Sequence, residues 1–299
     1  MAEIFIVTCH GWSGSSWLAN TLHSHPDIHC THVLYNRLPS TDDSDSKFAS
    51  DRYFDIIRQE AISRQETPID CMLDKLILNI DKPYIGNVGL YRLRDLPVLS
   101  RKFGSCGHSI KVVNLIRNPL SVVFSGYGQF MKRFQYDLHE LYWNLGKLLE
   151  FSYEHLCEIR LKYGVDLGDA KNISFFAAAQ TLASLRLDIE AYEMVKDLEN
   201  ISFLGTITME EITSSARGLQ DLTLSLIPSL SYQTSFFENA ILQKAINTHY
   251  CQAPRDAAGR FKALEHWQQE SVLYFWRQNR VEEFYKDQGY NFDFLDQSS

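Results

Sequence analysis

Residues 4–18 read IFIVTCHGWSGSSWL, and this stretch decides the fold. Ile4-Phe5-Ile6-Val7 is a short apolar run of the kind that makes a fully buried strand. It breaks into small residues at Gly11, Ser13, Gly14, Ser15 and Ser16, after which Trp17-Leu18 opens a helical pattern. The sequence predicts a strand over 4–8, a loop over 9–14 and a helix over about 15–24. Strand, tight turn and helix in that order aim free amides and the positive end of the helix dipole at one point. A phosphate is the expected occupant.

The turn differs from that of the metal-dependent nucleotide hydrolases. Their loop reads G-x-x-x-x-G-K-[ST], with a lysine for the phosphates and a hydroxyl for Mg²⁺. No lysine lies near this turn. A serine-hydrolase elbow, G-x-S-x-G, also fails, because Ser15 follows Gly11-Trp12-Ser13-Gly14. The best internal strand, Val112-Val113-Asn114-Leu115-Ile116, ends in Arg117 rather than in a metal-holding aspartate. An arginine there can clamp a phosphate through two parallel hydrogen bonds. Lys111 to Tyr127, KVVNLIRNPLSVVFSGY, is again strand, turn and helix. Pro119 suits a first helical turn, where no amide hydrogen is needed. Ser125 lies about two turns along that helix, so Arg117 and Ser125 can hold one terminal phosphate.

Together the two motifs resemble the sulfotransferases that use 3′-phosphoadenosine 5′-phosphosulfate (PAPS). Ser13-Gly14-Ser15-Ser16-Trp17-Leu18 is similar to the family's loop for the 5′-phosphosulfate. Arg117-Asn118-Pro119 with Ser125 is similar to its 3′-phosphate motif. Arg255-Asp256-Ala257-Ala258-Gly259-Arg260, then Trp267 and Gly289-Tyr290, looks like a loose version of its C-terminal basic loop and tryptophan helix. Ile207 to Ile212 sits where the family has a strand ending in an acidic turn. The resemblance runs from about residue 3 to 294. It implies a P-loop-like three-layer α/β fold, with a mostly parallel central sheet flanked by helices and a single sulfotransferase-like domain over 1–299. It also implies PAPS as sulfuryl donor without a metal, and a hydroxyl acceptor on a small molecule, glycan or lipid. The cofactor-binding residues so implied are Trp12, Ser13, Gly14, Ser15, Ser16, Trp17, Arg117, Ser125, Arg255, Gly259 and Arg260.

Two positions depart from the family. Trp12 stands where the loop usually carries Lys or Arg to offset charge on the departing phosphate; Arg37, Arg92 and His10 are candidate substitutes. Gly86-Asn87-Val88 lies at a strand end where many relatives carry a lysine. An alternative is therefore a nucleotide-binding protein of this fold that has lost catalysis, and a further one is a P-loop kinase. The acceptor's proton needs a base. His32 is the first choice, at the carboxyl end of a second strand over Ile28 to Val33, where ligands of open α/β sheets collect. His29 and His108 are alternatives. His25, His29, Cys30 and His32 are read as non-metal, since alternate residues of a strand face opposite ways.

The net charge of −8 and the lack of a long Lys/Arg run argue against nucleic acid as partner. Hydrophobic content of 45% and charged content of 22% are those of a globular protein with a full core. No apolar run spans a bilayer, and the chain opens on a strand rather than a signal peptide, so a cytoplasmic location is expected. Six scattered cysteines read as reduced thiols. Further expectations are a polar loop over 36–50, helices near 51–64 and 90–103, amphipathic helices over 129–163, one long helix over 173–196 and a strand over 200–205.

Overall fold

The computed structural model describes residues 3–11, 13–32, 82–89, 91–105, 107, 109–232, 234–242 and 256–296. The expected loop over 36–50 and helix over 51–64 lie outside these, as do Trp12, Arg37, His108 and Arg255.

Five strands carry the apolar runs: β1 (Glu3–Cys9), β2 (Ile28–His32), β3 (Tyr84–Val88), β4 (Ile110–Ile116) and β5 (Ile201–Thr208). They form one sheet in the order β2-β3-β1-β4-β5, with every pair parallel. This is the α/β class read from the sequence. The all-parallel arrangement explains the composition: Phe5, Ile6 and Val7 are buried on both faces, because both faces are covered. Between β4 and β5 the register runs Val112 to Phe203, then Asn114 to Thr206, so β5 carries one extra residue as a bulge.

The chain divides into two compact units, residues 1–116 with 191–244, and 117–190 with 245–299. The first unit contains the sheet and, after β5, helices α7 (Met209–Ser214), α8 (Ala216–Leu226) and α9 (Thr234–Leu242). Helix α1 (Ser15–His23) returns the chain from β1 to β2, and α2 (Leu96–Ser105) crosses from β3 to β4. Leu18, Ala19 and Leu22 of α1 pack with Phe5, Val7, Cys9 and Cys30 on one face. Leu96, Leu99 and Phe103 of α2 pack with Ile6, Ile110 and Val112 on the other. β1 is thus flanked on one side by β3 and on the other by β4, and the connections that leave β1 and β3 cross opposite faces of the sheet. This is a topological switch point, and the crevice at the carboxyl ends of such strands collects ligands. Residues 9–11, 13 and 14 occupy that position.

In the second unit, α3 (Pro119–Arg133), α4 (Leu138–Tyr163), α5 (Ala170–Ala179), α10 (Ala257–Lys262) and α11 (His266–Asn279) pack on one another. Trp267 meets Phe175 and Phe176 with ring centroids 5.3 and 5.2 Å apart, which makes it a core residue. The single helix expected over 173–196 is instead two, α5 and α6 (Thr181–Val195). At the break the Thr181 hydroxyl donates to the Ala178 carbonyl and Ala183 N bonds to Gln180 O, one residue short of α-helical spacing. α4 is likewise interrupted at Ser152, whose φ of −143° is not helical.

Candidate functional site

The turn after β1 departs from a self-sufficient helix start. Gly14 is the N-cap of α1, with φ 79° in the left-handed region and no side chain to accept from the first amides. A Cβ at this position would also lie 2.3 Å from the Met209 Cε. The Ser13 side chain is 1% exposed, and its hydroxyl has no hydrogen-bond partner among the described residues. A buried hydroxyl left this way costs about 1–3 kcal/mol unless a ligand completes it. Ser16 is exposed at the same end of the helix, and Trp17 is half-buried against the α1 face of the sheet.

The second motif is different. Asn118 accepts from Leu120 N at 3.0 Å and Ser121 N at 3.2 Å, with Pro119 at the first helical position. That start is capped by its own chain. A ligand there must be met by side chains rather than amides. Arg117 directly follows β4 and is half-buried, and Ser125 is half-buried on α3. The structure brings Arg260 to this helix, its guanidinium carbon 4.4 Å from the Phe124 ring centroid. Arg260 and Gly259 were expected in a loop. They lie in α10 because Asp256 caps it, accepting from Ala258 N and Gly259 N at 3.0 Å each.

His32 is the last residue of β2, and its Nε2 lies 2.9 Å from Ser15 Oγ. That contact ties the candidate base to the first residue of α1. Burial holds its pKa below the usual 6.5, so the ring is neutral at pH 7. His29 meets the His23 ring edge-on, and His25 uses both nitrogens on backbone groups of Asp27 and Ser231.

His10 Nδ1 lies 3.1 Å from the Gly11 carbonyl oxygen, which can only accept, so Nδ1 carries the hydrogen. Burial, and then the charge of Arg92, push its pKa down to about 3. His10 is therefore uncharged at neutral pH and does not fit the role of substitute for the missing loop cation. Behind it, a row of buried polar groups crosses the sheet. Thr8 donates to Asn114 Oδ1 at 3.1 Å, Asn114 Nδ2 to Thr206 at 3.4 Å, and Asn87 Nδ2 to Thr31 at 2.8 Å. Asn87, at the strand end singled out in the sequence, is thus tied into the sheet.

The buried histidines carry a pH prediction. His10 and His155 are held at about 3 and about 4, against 6.5 for the free ring. Between pH 6.5 and 4 the unfolded chain binds protons that the folded chain refuses, so stability falls as the pH is lowered through that window. Scanning calorimetry should show the melting midpoint dropping across it; a flat midpoint would contradict the neutral-histidine assignment.

Sequence reasoning singled out Ser13, Gly14, Ser15, Arg117 and His32 as candidates but did not single out two neighbours of the turn. Met209, at the start of α7 (Met209–Ser214), packs over Gly14. Gly89, with φ 83°, passes so close to Ser15 that a Cβ would lie 3.2 Å from its Cβ. Neither contact has a signal in the local sequence.

No protein-family model and no curated protein matches the chain. Among solved structures it is similar to three sulfotransferases. One is from Alicyclobacillus acidocaldarius, at 14% identity over 91% of this chain and 94% of that one, TM-score 0.42. A mouse sulfotransferase complexed with PAP is 14% identical over 94% of this chain and 84% of that one, TM-score 0.41. The third is a sulfotransferase domain from the curacin biosynthetic pathway, 12% identical over 91% of this chain and 96% of that one, TM-score 0.42.

Proposed function

We propose that the chain is a PAPS-dependent sulfotransferase acting on a hydroxyl acceptor. One observation carries the reading: α1 starts without a side-chain cap, beside a buried Ser13 hydroxyl that has no partner among the described residues, at the sheet's switch point. An anion completes both, so the residues present fit the phosphate end of such a donor. The 5′-phosphosulfate is assigned to the amides after Gly14 with Ser13, Ser15 and Ser16. The 3′-phosphate is assigned to Arg117 and Ser125, with Arg260 over the same helix; Trp12, Trp17, Arg255 and Gly259 complete the proposed set. The bound donor supplies the sulfuryl group. The chain's own task is to hold the two phosphates, keep water from the transferring group and take the acceptor's proton, which His32 does in this reading.

Thermal melts separate this from phosphoryl transfer. 3′-Phosphoadenosine 5′-phosphate should raise the midpoint, and ATP with Mg²⁺ should not. If only ATP with Mg²⁺ raises it, sulfuryl transfer is the wrong assignment. A second reading is a nucleotide-binding protein of this fold without catalysis, favoured by Trp12 in the turn and the neutral state of His10. Transfer of labelled sulfate to a panel of acceptors distinguishes the two.

A further inference from the structure

We propose that Arg92 supplies, from outside the turn, the positive charge that the 5′-phosphate of the donor requires and that Trp12 cannot provide. The inference rests on the sulfotransferase reading.

The path of the chain after β3 places Arg92 there. Gly89 N bonds to Val7 O at 3.0 Å, so the strand's exit stays against β1. At Gly89 the backbone is so close to the turn that a Cβ would stand 3.1 Å from Cys9 Sγ and 3.3 Å from Ser15 Oγ. A side chain there would be strained by the left-handed backbone and tight against the turn, which favours glycine. Three residues later Arg92 is extended and opens a short 3₁₀ turn, Leu93–Asp95, its amide donating to Asp95 Oδ2 at 2.8 Å. Tyr91 and Leu93, on either side, are buried under the sheet with Ile6 and Val112. Arg92 is therefore a half-buried side chain three residues beyond Gly89, the residue that passes against the phosphate turn.

Its charge reaches the turn. His10, which bonds Gly11, feels Arg92 more strongly than Arg94. Lys111 pairs with Glu3 at 3.2 Å at the amino end of the sheet, and Arg94 is exposed. A guanidinium here offsets charge on the phosphate oxygen as the S–O bond to it breaks and the electron pair passes to that oxygen. The sulfuryl group goes to the acceptor oxygen and the acceptor's proton to the base.

The test is a cycle of variant against ligand. Binding of 3′-phosphoadenosine 5′-phosphate and of adenosine 3′-phosphate, which lacks the 5′-phosphate, is measured calorimetrically on wild type, Arg92→Met, Arg92→Lys and Arg94→Met. Arg92→Met should weaken the bisphosphate by about 10- to 100-fold and leave the monophosphate unchanged. Arg92→Lys should recover part of the loss, and Arg94→Met, with the same net charge change, should bind both ligands like wild type. If Arg92→Met binds the bisphosphate like wild type, or weakens both ligands equally, the role of Arg92 is wrong while the sulfotransferase reading stands. A wild-type chain that binds no bisphosphate sinks that reading, and the role of Arg92 with it.

Discussion

Arg117→Ala is expected to weaken binding of 3′-phosphoadenosine 5′-phosphate by about 10²- to 10⁴-fold. The loss follows from removing two parallel charge-assisted hydrogen bonds to one phosphate, each of about 1.5–3 kcal/mol. Asn118 caps α3 and Pro119 fits its first turn, so the helix start does not depend on the arginine. That separation lets the variant report on the ligand rather than on the fold. Binding of adenosine 5′-phosphate, which has no 3′-phosphate, should change little. Isothermal titration of both nucleotides against both proteins measures the contrast. Unchanged affinity for the bisphosphate would remove Arg117 from the site.

His32→Gln should lower the rate of sulfuryl transfer by about 10²- to 10⁴-fold, the range for loss of a positioned base. Glutamine keeps a polar contact for Ser15 Oγ but cannot take a proton. Nucleotide affinity should stay close to wild type. The pH profile gives the sharper check. Because burial lowers the His32 pKa, the ring is already in its base form at pH 7. The wild-type rate should be flat above pH 7 and fall on acidification with a midpoint below 6.5. That limb should disappear in the variant. Wild-type turnover with an intact acid limb in His32→Gln would exclude the residue as the base.

The parallel sheet was legible because its strands are written as unbroken apolar runs. Phe5-Ile6-Val7 and Val112-Val113 are buried from both sides and alternate with nothing. The first turn was legible because small residues between a strand and a helix leave the backbone little choice. Gly14 takes the left-handed conformation that such a turn demands. What was hidden depends on distance in sequence. The Ser15–His32 contact needs β2 and α1 to pack together, and the nearness of Gly89 to Ser15 needs β3 beside β1. No local pattern encodes either. The reading of residues 257–260 as part of a loop failed for a local reason. Asp256 is an effective N-cap, and Gly259 within the next turn masked the helix it starts. The neutral state of His10 was equally invisible, since burial and neighbouring guanidinium groups set it.

The extra residue in β5 bears on how this chain behaves in concentrated solution. β5 is the last strand on its side of the described sheet, and the outward ladder of amides and carbonyls on an edge strand is in general a template on which another chain's strand can polymerise. A bulge steepens the local twist and spoils the regular spacing that such a template offers. The irregularity therefore acts as a guard against filament growth at that margin, and it does so without spending any charged side chain on the task.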